Sequence, residues 1–129
     1  MTTATPATGS GPLRVLVVDD NVDAADSMAT LLDMLGHATR VVYTGETVAA
    51  EARDFDPDCV LLDIGLPVKD GYAVARELRS EGSRAVLVAL TGWGGDGDRR
   101  QASEAGFDQH LTKPVEFEAL EALLANLRR

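Results

Sequence analysis

The stretch DCVLLDIGLP, residues 58–67, decides the fold. Four apolar residues, Cys59 to Leu62, run into the carboxylate of Asp63, and the chain then turns through Gly65 and Pro67. A short continuous apolar run bounded by turn residues fits a strand buried on both faces, as at the centre of a parallel sheet. Two further runs share this character: LRVLVV (13–18), ending at Asp19-Asp20, and AVLVAL (85–90), ending at Thr91. The less apolar runs ATRVVY (38–43) and FDQHLT (107–112) bring the set to five, the last ending at Lys113-Pro114.

Helical patterns lie between the runs. Over 22–35, Val22, Ala25, Met28, Ala29, Leu32 and Leu35 recur every three or four residues. Asp20 or Asn21 stands where an N-cap belongs, and Gly36 where the helix should stop. The stripe over 71–80 is Val74, Ala75 and Leu78; over 116–127 it is Phe117, Leu120, Leu123, Leu124 and Leu127. Segments 45–54 and 96–105 carry mainly alanine as apolar content and are expected to be helices too. These stripes read as packing faces. A strand–helix pair repeated five times predicts an α/β chain: a doubly wound, five-stranded parallel sheet with helices on both faces and right-handed crossovers. Ligands of such sheets bind beyond the carboxyl ends of the strands. The strand ends therefore carry the functional reading.

The 129 residues suit one domain with a proper core: a flexible tail over 1–12, rich in Thr, Ala, Pro, Gly and Ser, and a folded unit over 13–129. A hydrophobic share of 45% and a charged share of 26% fit an ordinary soluble globular protein. The net charge of −9 argues against direct binding of nucleic acid or anionic membrane, both of which need basic surface. No apolar stretch approaches the ~20 residues that span a bilayer. The tail lacks the charged and apolar regions of a secretory signal, so a cytoplasmic location is expected. Cys59 has no second cysteine to pair with and sits inside an apolar run, which reads as a buried, inert thiol.

If the first, third, fourth and fifth strands lie side by side, Asp19, Asp20, Asp63, Thr91 and Lys113 converge at one edge. Each has a plain reading alone. Asp19-Asp20 suits the positive end of a helix, Asp63 a turn, Thr91 a cap or turn, and Lys113 the surface. Together they are three carboxylates, a hydroxyl and an ammonium, complementary in charge and drawn from four strand ends. Three clustered carboxylates repel one another. A hard divalent cation such as Mg²⁺ relieves that repulsion through oxygen ligands. One carboxylate is then free to act as a nucleophile toward phosphorus, with a Lys and a hydroxyl to meet the charge on the phosphoryl oxygens.

At these residues the sequence resembles the receiver domain of two-component response regulators, the chemotaxis-regulator-like family. The matching pieces are VLVVDDN, DCVLLDIGLPVKDGY, LVALT and HLTKP, and the likeness spans roughly residues 13 to 128. The resemblance implies a flavodoxin-like (βα)5 fold with strand order 2-1-3-4-5. It implies that Asp63 is the phospho-acceptor. It also implies that Asp20, Asp63 and the backbone carbonyl of Gly65 bind Mg²⁺ (Mn²⁺ in its place), with Asp19 acting mainly through a water. Lys113 and Thr91 would then meet phosphoryl oxygens, and the Lys113-Pro114 bond would be cis. His110 stands where the family usually carries the Tyr or Phe that swings inward on activation. The implied donor is a histidine kinase or a histidine phosphotransfer protein. The implied output is changed affinity for a downstream protein through the face of the fourth helix, fifth strand and fifth helix, in a monomer or weak dimer.

Some positions depart from the commonest pattern. Leu66 stands where Met is frequent, and Gly65 and Gly92 leave little beside the phosphoryl group, while Trp93 is bulky enough to shield it. GWGGDGD (92–98) lacks the Gly-Lys-Ser/Thr of a nucleotide-binding loop and reads as a flexible connection. A haloacid-dehalogenase-like phosphohydrolase shares the Asp, Mg²⁺, Lys and Thr, but places its nucleophile on the first strand in a D-x-D motif. A flavodoxin-like electron carrier needs a phosphate loop where this chain has two acids. A pseudo-receiver that works without phosphorylation has no need of all five groups. The expectation is therefore a signalling phospho-acceptor, not an enzyme, acting either as a single-domain regulator or as the receiver of a hybrid kinase.

Overall fold

Apolar runs of β-branched and Leu residues, each closed by a turn residue, give five parallel strands: β1 Arg14–Val18, β2 Ala38–Val42, β3 Cys59–Asp63, β4 Val86–Thr91 and β5 Gln109–Thr112. The structure is a computed structural model and describes residues 12–92 and 96–127, the side chains of 96–99 excepted. The tail expected over 1–12 lies, but for Pro12, outside the described residues, as do Trp93, Gly94 and Gly95. The strand order is β2-β1-β3-β4-β5, as the family resemblance implied. The reversal between β1 and β3 opens the crevice in which this topology places its ligands.

The helices are α1 Val22–Met34, α2 Val48–Phe55, α3 Gly71–Ser80, α4 Asp96–Ala105 and α5 Phe117–Leu127. Alternation along the strands sorts the core into two. Val15, Val17, Cys59, Leu61, Val88 and Leu90 face α1 and α5, where Ala25, Met28, Leu32, Leu120 and Leu124 meet them. Leu16, Val18, Val60, Leu62, Leu87 and Ala89 point the other way, toward Val48, Ala52, Val74, Leu78, Ala102 and Ala105 of α2, α3 and α4. Each fully buried Leu or Val on either side contributes about 1.5–3 kcal/mol.

Local chemistry sets the helix ends. The Asn21 side chain accepts from Ala24 N at 3.0 Å and starts α1, and Asp70 does the same for α3 through Ala73 N at 2.9 Å. Beyond α1, Gly36 takes φ +89, a left-handed turn that a side chain would strain.

Several boundaries differ from the sequence reading. The segment expected as one helix from 45 begins with a 3-10 turn, Gly45–Thr47, before α2 starts at Val48. β2 ends at Val42, and Tyr43 turns outward so that its phenol donates to Asp26 at 2.7 Å. The fifth strand begins at Gln109 and not at 107, because Phe107 N closes α4 on Ala102 O and Asp108 N bonds Leu87 O. Val22 is half exposed at 50% and Phe117 is exposed at 39%, so neither belongs to the buried stripe of its helix. Each is the first residue of its helix. Cys59 is fully buried, and burial pushes its thiol up to about 12, an inert state.

Candidate functional site

The three central strands end at the carboxyl edge of the sheet, β1 at Val18, β3 at Asp63 and β4 at Thr91. Val18 and Leu62 are paired in register, so the residues after them, Asp19 and Asp63, emerge side by side from β1 and β3. Oxygens of Asp19, Asp20 and Asp63 lie within 4.8 Å of one another. Asp19 and Asp63 are buried, and Asp20 is exposed on the solvent side.

Asp19 and Asp63 are held in the same way. One oxygen of each accepts the backbone N–H two residues on: Asn21 N to Asp19 Oδ1 and Gly65 N to Asp63 Oδ1, both at 2.9 Å. This is the Asx-turn geometry. The other oxygen of each meets the same ammonium, with Lys113 Nζ 3.2 Å from Asp19 Oδ2 and 3.1 Å from Asp63 Oδ2. Both carboxylates are thus fixed at one end by the main chain and share a counter-charge at the other. Lys113 is placed by its own backbone, since its N–H donates to Thr91 O at 2.7 Å, and the Lys113-Pro114 bond is cis.

The charges respond to this setting. Burial pushes the Asp19 carboxyl up; its bond from Asn21 and the Lys113 ammonium pull it down, and the charge of Asp63 pushes it up again, leaving it raised. Burial pulls Lys113 down, but its contacts with Asp63 and Asp19 reverse this and leave it raised. Lys113 therefore stays charged, while the cost of burying the Asp19 charge exceeds what the Asn21 N–H and the Lys113 ammonium return.

Thr91 ends β4 beside Asp63: Leu90 pairs with Asp63 in register, and Leu90 O accepts from Ile64 N at 3.3 Å. Its hydroxyl is buried and has no hydrogen-bond partner among the described residues. A buried unpaired hydroxyl costs free energy and marks a place where a further oxygen ligand would be welcomed. The candidate metal ligands, Asp19, Asp20 and Asp63, all offer oxygen, so the set fits a hard divalent cation and not a soft one.

His110 sits half-buried on β5, paired with Ala89, two residues back from the level of Thr91. Gly65 is exposed, and among the described residues a Cβ added there would meet only Asp63 Oδ1, at 3.5 Å. Position 65 is open to a side chain by both space and conformation. The sequence reading gave Asn21 as a helix cap and Gly65 as a backbone carbonyl, but not as the N–H donors they also are, although Asp is itself a residue that favours an Asx-turn.

Comparison with known proteins gives one answer. The family model for the response regulator receiver domain matches residues 15–125. Response regulator MprA of Mycolicibacterium vanbaalenii is 35% identical over 117 residues, 91% of this chain and 49% of that protein. Two-component response regulator PhoP of Pseudomonas aeruginosa is 33% identical over 117 residues, 91% of this chain and 52% of its own. The chain thus spans about half the length of the curated relatives it matches. Among solved structures, the receiver domain of sensor histidine kinase PA1611 from Pseudomonas aeruginosa is 30% identical with a TM-score of 0.83, covering 92% of this chain and 98% of that one. That structure has a magnesium ion coordinated in the active-site cleft. A chain of the co-crystal of the Saccharomyces cerevisiae phosphotransfer protein Ypd1 with the Ssk1 receiver domain is 25% identical with a TM-score of 0.84, covering 91% and 89%.

Proposed function

This chain belongs to the response regulator receiver family, and on that premise we propose that it is a phosphorylation switch with Asp63 as the phospho-acceptor. The observation that carries the reading is the shared clamp on Asp19 and Asp63: main-chain N–H on one oxygen, Lys113 on the other. It presents Asp63 at a fixed angle from the end of a buried strand, beside two further carboxylates.

Asp19, Asp20 and Asp63, with the Gly65 carbonyl, are the groups that would hold Mg²⁺, or Mn²⁺ in its place. When bound, the cation neutralises the carboxylates and the charge on the phosphoryl oxygens. The donor is a phosphohistidine of a histidine kinase or of a phosphotransfer protein. An Asp63 carboxylate oxygen attacks phosphorus, the P–N bond breaks, and the donor imidazole nitrogen keeps the bond's electron pair and takes a proton from solvent. Lys113, already 3.1 Å from Asp63 Oδ2, follows the new negative charge onto a phosphoryl oxygen. The Thr91 hydroxyl, unpaired among the described residues, gains an acceptor. That gain draws the end of β4 toward Asp63 and changes the surface of α4, β5 and α5, with His110 at the switch position, for a downstream protein. The reading makes the chain a signalling phospho-acceptor of the cytoplasm and not an enzyme with a separate substrate. Among the described residues no helix is long and apolar enough to cross a membrane.

Incubation with Mg²⁺ and acetyl phosphate should add one base-labile, hydroxylamine-labile phosphate to the intact protein, and Asp63→Asn should add none. A wild-type protein that gains no phosphate, or an Asp63→Asn protein that gains as much, overturns the reading.

A further inference from the structure

The loop from Ile64 to Asp70 carries Gly65 at one end and the cap of α3 at the other. Three features leave it no slack. Behind it, a Cβ on Gly71 would stand 2.5 Å from Ile64 Cα and 2.7 Å from Asp63 O, so the start of α3 is pressed against the phospho-acceptor's own backbone. At its apex, Val68 has φ +67 and Lys69 N donates to Pro67 O at 2.7 Å. This is a γ-turn of the strained sort, with a β-branched residue in left-handed conformation. At its far side, the Lys69 ammonium is tied to Glu77 of α3.

The fourth neighbour comes from another part of the chain. Gly45, buried at the start of the 3-10 turn after β2, would place a Cβ 2.5 Å from Lys69 O, 2.9 Å from Val74 Cγ2 and 3.4 Å from Leu66 Cδ1. A carbon that close to a carbonyl oxygen is about 1 Å inside normal contact. The Gly45 backbone lies outside the left-handed region, so the glycine serves space and not conformation. Leu66, the third contact, directly follows Gly65.

We propose that Gly45 is a positioning residue for the acidic site: the side chain it lacks is the space into which the 64–70 loop settles, and this sets where Gly65 and Asp63 present their oxygens. The proposal rests on reading the acid cluster as a Mg²⁺ site. A methyl at 45 displaces the Lys69 carbonyl. The strained turn and the Gly71 contact pass the displacement along the loop to Gly65. Mg²⁺ tolerates little departure from octahedral geometry, and loss of outer support for metal ligands typically weakens binding 10–100-fold.

The test is calorimetric Mg²⁺ titration of the full chain, with amide resonances of the metal-free protein as a second readout. Gly45→Ala should bind Mg²⁺ about tenfold more weakly and should shift the amides of Asp63 to Lys69. Gly36→Ala is the control: it strains a positive φ with nothing within 4 Å, far from the site, and should leave Mg²⁺ affinity unchanged. Equal affinity in Gly45→Ala and wild type, or an equal loss in Gly36→Ala, overturns the proposal. Should Gly45→Ala fail to fold, it is compared as a double variant with Val74→Ala, which removes the side-chain conflict and leaves the Lys69 carbonyl. Affinity equal to that of Val74→Ala alone then overturns it. If wild type itself binds no Mg²⁺, the metal reading fails, and amides of 63–69 unmoved in Gly45→Ala separately dismiss the positioning role.

Discussion

Asp19 bears the tension of the site most directly. It is buried, faces Asp63, and shares the Lys113 ammonium with it. Its carboxyl is raised above its ordinary 3.8, with burial as the largest cause. A raised folded-state carboxyl means that the native state binds the proton more tightly than the unfolded chain. Stability therefore falls as pH climbs from about 3.8 through the folded value. In metal-free protein Asp19→Asn should raise stability at pH 7 by on the order of 1 kcal/mol, with the Asn21 N–H still supplied with an acceptor. Melting temperatures in chelator at neutral and acidic pH check this: the gap should close as pH falls. A gap of the same size at acidic pH would show that the effect is not one of charge. Asp19, Asp63 and Lys113 were legible in the sequence because each ends or directly follows a strand, and strand ends share an edge. The Gly45 contact was not, because it depends on how closely two loops approach, which no local pattern encodes.

At the scale of elements, the least visible join is made by Arg79, in the last turn of α3. Its guanidinium donates to Gly106 O at 3.0 Å, Ser83 O at 3.1 Å and Ala85 O at 2.8 Å, and pairs with Asp108 Oδ2 at 2.6 Å. That same Asp108 oxygen accepts from Leu87 N at 3.0 Å. One side chain thus fastens the end of α3, the entry to β4 and the turn between α4 and β5. Edge-to-face packing of Tyr72 on Phe107, with centroids 6.4 Å apart, supports the same corner. Arg79→Met should cost about 2–3 kcal/mol in urea unfolding, since several carbonyls lose a charged donor together. A loss under about 0.5 kcal/mol, the size of an ordinary surface change, would refute the clamp. In the sequence Arg79 reads as a basic residue at a helix end, and its partners lie up to 29 residues away. The same remoteness explains the misread start of β5: Asp108 looks like strand but is bound to this corner. The helical stripes were legible beyond the first turn, where Leu32, Leu78 and Leu120 are buried, and not at Val22 or Phe117, where neighbours and not periodicity decide exposure.

For the molecule as a whole, the order of five strand–helix pairs fixed the architecture, because crossover handedness and burial on both faces leave few alternatives. The apolar runs of β1, β3 and β4 showed which strands are central, and the mixed runs of β2 and β5 stand at the edges. That arrangement has an energetic corollary. Val48 belongs to the core on one face of the sheet and Leu124 to the core on the other. The sheet's rigid backbone between them acts as a partition: a cavity opened on one side has no side chain on the other to relax into it. Val48→Ala and Leu124→Ala should each destabilise by roughly 2–3 kcal/mol, and their costs should add to within about 0.5 kcal/mol. Leu120→Ala with Leu124→Ala, both in one core, should depart from the sum. A double-mutant cycle coupling across the sheet by more than about 1 kcal/mol would mean that the partition leaks. If it holds, the two cores are thermodynamically insulated. Packing beneath α5 can then drift without disturbing the core under α2, α3 and α4.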